Sequence, residues 1–406
     1  MGDATREDGL GLRLLTALSV LAATAPLSMD FYLPSFPQVL TSLHTDATQV
    51  QLTITAFLVG LGIGQVVWGP ISDRFGRRRP LIVGAVATVV FAALSALAPN
   101  IEVLIGARFL QALTGAAGIV MSRAIIADRL QGFPAARALS LMQTITAAAP
   151  IVAPVVGGLL AGRVSWRWVL GIVFAITVIQ LIGLLTSIPE SLPPERRAAR
   201  LRFGHLGSLL ARPAFLGYTA TIAFTFALMM AYISTSSFVY QRVLGFAPWQ
   251  YGLLFALNAC GLLLGGAASA RLARHRVHPV RMVRIAVPTA LGCALVLLAI
   301  VLSPVPTWLI VFPLWVAMLS VGFIQGNTTA LAMAHAPDAA GAGSSLIGGV
   351  MSLVGGAISP LGGLAGDDTA VPFALVMAAS GVCALAAFIA ARMSVRRDPR
   401  SEAAFA

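Results

Sequence analysis

Asp30 stands in Ser28-Met29-Asp30-Phe31-Tyr32-Leu33-Pro34, just after a nearly unbroken apolar run from Leu14 to Leu27. An ionised carboxylate in the middle of a bilayer costs about 2.5–3.5 kcal/mol on insertion scales, so such a residue reads as a protonatable group facing a polar cavity. The competing reading is a helix that stops early at Pro34 or Pro37 and leaves Asp30 among lipid headgroups. Apolar residues continuing to Leu40 weigh against it. Arg108, in Arg108-Phe109-Leu110-Gln111-Ala112-Leu113-Thr114-Gly115, is the second candidate. At about 1.5 Å per residue, Arg108 lies roughly 10 Å down if its helix enters near Ile101, and Asp30 roughly 15 Å down if its helix exits near Leu40. Similar depth would let both face one cavity, where an opposite charge favours the ionised acid and desolvation the neutral one. Equally, Arg108 would brace carbonyls of the first helix without touching a proton.

The elements that must hold these residues follow from composition. The chain has 406 residues, 58% of them hydrophobic and 10% charged, with mean hydropathy +0.89. This excludes an ordinary soluble globule and implies an all-α polytopic membrane protein. Long continuous apolar runs, rather than short alternating strands, exclude a β-barrel. A helical span needs about 20 apolar residues, and such runs fall near 12–40, 49–71, 81–98, 101–123, 136–160 and 166–188, then 215–239, 249–272, 282–302, 307–331, 341–363 and 372–393. Between the sixth and seventh, Pro189 to Arg212 is rich in acids, arginines and prolines and reads as a solvated linker. The expected organisation is a six-helix bundle in 1–188, a linker in 189–212 and a second six-helix bundle in 213–406.

All 27 basic residues are arginine, which removes a P-loop lysine, a retinal Schiff base and a pyridoxal site together. The net charge of +12 sits in short loops and reads as membrane topology, not nucleic-acid binding. The N-terminal tail, Arg74 to Arg79, Arg123 to Arg137, the linker, Arg271 to Arg284 and Arg392 to Arg400 share one side; Arg163, Arg167, Arg242, Asp367 and Asp368 share the other. Both termini are therefore expected in the cytoplasm, with Trp166, Trp168, Trp249 and Trp308 at the outer interface. The first helix imitates a signal peptide around Ala23-Thr24-Ala25, but eleven further spans favour an uncleaved one. Cys260, Cys293 and Cys383 lie singly in apolar runs, so neither a disulfide nor a metal site is expected.

The halves repeat each other. Gly69-Pro70-Ile71-Ser72-Asp73-Arg74-Phe75-Gly76-Arg77-Arg78-Arg79 matches residues Gly266 to Arg276 at one glycine, one serine and three arginines, with a constant offset of 197 from Arg74 to Arg271. Ala270 replaces the acid in the second copy. A weaker echo pairs Pro154-Val155-Val156-Gly157-Gly158 with Pro360-Leu361-Gly362-Gly363.

On these motifs the whole chain resembles the major facilitator superfamily, and within it the twelve-span drug:proton antiporters of the Bcr/CflA type. The 69–79 segment is similar to the superfamily's loop signature between spans two and three. The resemblance implies that Asp73, Arg74 and Arg77 gate the cavity by latching the halves in the outward-facing state, with Gly69 for close helix approach and Gly76 for a turn. The Arg108 segment resembles the signature carrying an intramembrane arginine, with Ala112 where glycine is usual. Ala149 to Gly158 resembles the antiporter signature, in which Pro150, Pro154, Gly157 and Gly158 allow bending and tight crossing. Arg123 and Asp128 are expected to form a charge cluster at a helix end. By the family's arrangement, spans one, four, seven and ten line the cavity, which makes Tyr32, Gln111, Tyr232, Gln325 and Asn327 the expected substrate contacts and Asp30 with Arg108 the proton-coupling pair.

The function that follows is export of an amphipathic drug-like molecule in exchange for protons, through a monomer in the inner membrane, with no cofactor. Import of a metabolite is the rival transport reading; a receptor would need an output domain, and an enzyme would need paired carboxylates or a Cys/His cluster.

Overall fold

The computed structural model describes residues 12–197, 209–336, 340–366 and 368–397. The two chain ends, the middle of the linker and Asp367, all used above for orientation, lie outside the described residues.

Twelve helical segments are long and apolar enough to cross a membrane. The first is broken: α1 (Leu12–Asp30) gives way to a 3-10 turn at Leu33–Ser35 and then to α2 (Phe36–Ser42). Pro34 has no N–H to give the ladder and disfavours helical geometry at Leu33, so α1 cannot run on. The rest of the first half comprises α3 (Ala47–Phe75), α4 (Arg78–Ala96), α5 (Ile101–Arg129), α6 (Gly132–Ala161) and α7 (Trp166–Ser187). The second half comprises α8 (Pro213–Phe238), extended by a π turn at Val239–Val243, then α9 (Pro248–Arg274), α10 (Pro279–Leu302), α11 (Val311–Ala334), α12 (Ala340–Ile358) and α13 (Val371–Arg397). Asp46 and Asn100 fix the starts of α3 and α5 by accepting the Gln49 and Val103 N–H groups at 2.8 and 2.9 Å.

Each half packs as its own six-span bundle, α3 on α5 and α1 on α6 in the first, α8 on α13 and α9 on α11 in the second. Two seams join the halves, α3 against α12 and α6 against α9. Small residues make both possible. A methyl group on Gly157 would sit on the Phe31 carbonyl and one on Gly158 on the Pro248 carbonyl. In the echo, Gly362 abuts Thr235 and Gly363 abuts Gln51. Each pair thus touches one span of its own half and one of the other.

The seams are tightest at the arginine-poor end, where Thr48 meets Gly363 and Pro154 meets Gly252. Towards the arginine-rich end α6 and α9 part around a cavity of about 590 Å³ bordered by Ala147, Pro150, Ser269, Ala270, Gln325 and Asn327. The structure corrects one interfacial assignment: Trp168, Trp249 and Trp308 are exposed, but Trp166 is core, 1% accessible.

Candidate functional site

Asp30 closes α1 and is only 5% exposed, so it does not lie among headgroups. Its carboxyl makes no hydrogen bond or ion pair among the described residues. The turn that follows Asp30, Leu33–Ser35, packs against α8 and α9 of the second half, which carry Tyr232 and Tyr251. On the arginine-poor side the acid is covered by contacts between the halves. Gln241 donates to the Pro34 carbonyl at 3.1 Å and to Ser237 Oγ at 2.8 Å. Tyr32 packs edge-on against Phe36, with centroids 5.0 Å apart, and Phe36 against Phe238 at 5.9 Å.

Arg108, 1% exposed, does not pair with Asp30. Its Nη2 donates to the Ser28 carbonyl at 3.0 Å and its Nη1 to Gln111 Oε1 at 3.0 Å, while its guanidinium carbon lies 4.4 Å from the Phe57 ring centre and 5.3 Å from that of Tyr32. The cause is the break in α1. A helix end leaves its last carbonyls without partners, Tyr32 N–H turns to Met29 rather than Ser28, and the guanidinium takes the vacancy.

The five expected substrate contacts do not form one wall. Gln325 and Asn327 border the cavity; Tyr32, Gln111 and Tyr232 do not. Gln111 is held by Arg108 and by Ser95 Oγ at 3.5 Å. Tyr232 accepts from Asn258 Nδ2 at 3.1 Å and stacks on Phe255 at 5.4 Å. Asn327 is itself engaged, donating to Ser269 Oγ and to the Phe323 carbonyl at 2.7 Å each.

At the arginine-rich end Arg77 gathers four elements. Its Nη1 donates to Ser72 Oγ at 2.7 Å and to Asp73, its Nε to Asp128 at 2.9 Å, and its backbone N–H to Glu190 at 2.8 Å. Burial works against the Arg77 charge, but the Asp128 and Asp73 carboxylates hold its guanidinium above its usual value. Burial likewise works against ionised Glu190, and the N–H groups of Leu192, Arg77, Arg78 and Ser191 overcome this, drawing its carboxyl below the usual range.

Among the described residues the partners of Arg77 lie on α3, on α5 and in the linker, so in this arrangement, closed at the arginine-poor end, Asp73 and Arg77 staple the first half, while Arg74 lies over Phe75 at 5.2 Å. Two expectations are corrected here. Asp128 pairs with Arg77 and Ser191, not with Arg123. Gly69 faces open space rather than a close helix, and the turn is made at Gly76, whose φ of +87° favours glycine. In α6, Pro150 borders the cavity and the Pro154 carbonyl lies on Gly252.

The sequence model of the Major Facilitator Superfamily matches residues 18–360. The chain belongs to this superfamily. It is 36% identical to an uncharacterized MFS-type transporter, YdgK, of Bacillus subtilis over 95% of this chain and 96% of that one. It is 28% identical to a bicyclomycin resistance protein homolog of Haemophilus influenzae over 92% and 94% of the two chains. A crystal structure of a bacterial homolog of the human lysosomal transporter Spinster superposes with a TM-score of 0.71 at 17% identity, covering 95% of this chain and 97% of that one. The protein is therefore a multi-pass membrane transporter.

For this superfamily member, sequence reasoning missed Gln241, Phe36, Phe238 and Tyr251 around Asp30, and Glu190 in the linker. Tyr251, a hydroxyl in an apolar run, was a signal available to it. Glu190 was hidden because two of its partners, the backbone N–H groups of Arg77 and Arg78, are more than 100 residues away.

Proposed function

We propose that this transporter exports amphipathic, drug-like molecules across the cytoplasmic membrane in exchange for protons, with both termini in the cytoplasm. One observation carries the reading: Asp30 is buried at a helix break, without an ionic or hydrogen-bonding partner among the described residues, directly beneath contacts made by both halves. A carboxyl in that position changes its solvation whenever those contacts open, so its proton affinity is coupled to which end of the molecule is open. Contact at the arginine-poor end and a cavity towards the other supports an arrangement open to the arginine-rich side. Likeness to the bicyclomycin resistance homolog supports export as the direction.

The driving force suffices. One proton crossing about 100 mV releases roughly 2.3 kcal/mol, enough for an approximately 50-fold gradient of a neutral substrate. Arg108 serves as a positioning residue, fixing the end of α1 and hence the place of Asp30. Substrate is proposed to enter the cavity at Gln325 and Asn327. The test is a drug-susceptibility panel in an efflux-deficient host. Wild type raises tolerance to at least one amphipathic compound, and Asp30→Asn abolishes both this and substrate-induced proton movement in vesicles. Unchanged tolerance to every compound, or accumulation of labelled compound, overturns export; full coupling in Asp30→Asn overturns the role of the acid.

A further inference from the structure

At the arginine-rich end α10 and α13 pack together deeper in the span, where Gly381 meets Leu291, and separate nearer the surface around a second cavity of about 370 Å³. Arg284 of α10 and Arg392 and Arg396 of α13 all border it. Arg284 lies five residues inside its helix start and Arg392 five residues inside its helix end, so both stand roughly 7 Å in from the helix termini at about 1.5 Å per residue. Leu385, Phe388 and Met393 continue the wall as an apolar surface.

None of the three arginines makes an ion pair or hydrogen bond among the described residues. Among the described residues from 209 to 397 the one acid is Asp368, and Asp398, two residues after Arg396, lies outside them. The contrast is with Arg77 of the first half and Arg197 of the linker, which face Asp73, Asp128 and Glu190. Three guanidiniums converging on a pocket with an apolar floor, at headgroup depth, need an anion that also carries hydrocarbon.

We propose that this cavity binds an anionic glycerophospholipid, its phosphate held by Arg284, Arg392 and Arg396 and an acyl chain laid along Leu385, Phe388 and Met393. The site is separate from the transport cavity and does not depend on what is transported. Guanidinium to phosphate contacts are charge-assisted and bidentate, which fits a phosphodiester, whereas a choline headgroup brings its own cation into the pocket.

The test is native mass spectrometry of the purified, delipidated full chain titrated with phosphatidylglycerol, with phosphatidylcholine as the zwitterionic comparison. Phosphatidylglycerol is expected to bind at least about tenfold more tightly than phosphatidylcholine. Arg284→Gln/Arg392→Gln is expected to remove that preference; Arg271→Gln/Arg274→Gln, with the same loss of charge outside the cavity, is expected to keep it. Met393→Gln, at a half-exposed wall position, weakens phosphatidylglycerol without restoring phosphatidylcholine. Equal loss in both arginine pairs would mean a diffuse charge effect and overturns the site. Thermal stabilisation by inorganic phosphate as large as that by phosphatidylglycerol assigns the pocket to a free anion and overturns the lipid.

Discussion

Ser72 accepts the Arg77 guanidinium at 2.7 Å; Ser269, its counterpart 197 residues on, accepts the Asn327 amide at the same distance. The two serines occupy matching places in a repeated segment, yet around the first the chain is stapled and around the second it is hollow. Asp73 completes the ionic cluster, whereas Ala270 in its place borders the cavity of about 590 Å³. The turn moves too. Gly76 lets α3 stop at Phe75, while Ala273 keeps α9 helical to Arg274 and the positive φ passes to Arg276, at +59°. One acid and one glycine therefore separate a fastened loop from a helix that overhangs a chamber. The repeat preserved the arginines and discarded their counter-ions.

The comparison breaks most sharply at Arg77. Arg77→Ala leaves Asp128 half-buried without its cation and should lower stability by about 2–3 kcal/mol, whereas Arg274→Ala should stay within about 0.5 kcal/mol, read from denaturant titration in detergent. Gly76→Ala comes next, at about 2 kcal/mol, because alanine resists this backbone and its methyl would meet Glu190 Oε2. A melting curve of the variant checks it, with Ala273→Gly as the reciprocal change. Glu190→Gln sharpens the picture through pH. A carboxyl held below its usual value stabilises the fold fully above about pH 4.3 and loses that contribution as pH falls through the lowered value. Wild type should therefore lose melting temperature on going from about pH 5 to about pH 3, and Glu190→Gln should flatten that loss. The smallest effect is constructive. Ala270→Asp restores an acid four residues before Arg274 and should add only about 0.3–0.5 kcal/mol, detectable as a slight rise in melting temperature that salt removes.

How far the chain could be read without coordinates followed the range of each interaction. Twelve spans were legible because each is a local apolar run long enough to cross a bilayer. Asp30 was legible as an anomaly for the same local reason. Its surroundings were not, since Gln241 reaches Pro34 across 207 residues and Phe238 reaches Phe36 from the other half. Arg108 and Asp30 share a level, but depth along a helix says nothing of azimuth, and a free carbonyl at Ser28 competed successfully for the guanidinium. Polar side chains in apolar helices gave the same difficulty. Gln111 and Tyr232 looked like groups awaiting a ligand, but Arg108 takes the Gln111 oxygen, leaving its amide nitrogen unpaired among the described residues, and Asn258 takes the Tyr232 hydroxyl.

The paired glycines at 157–158 and 362–363 carry a mechanical corollary. Because one member of each doublet abuts its own bundle and the next abuts the opposite one, a bulkier side chain there would wedge an internal joint and an external hinge together. Internal cohesion and the freedom of the bundles to swivel are thus set by adjacent residues, and neither can be retuned without disturbing the other.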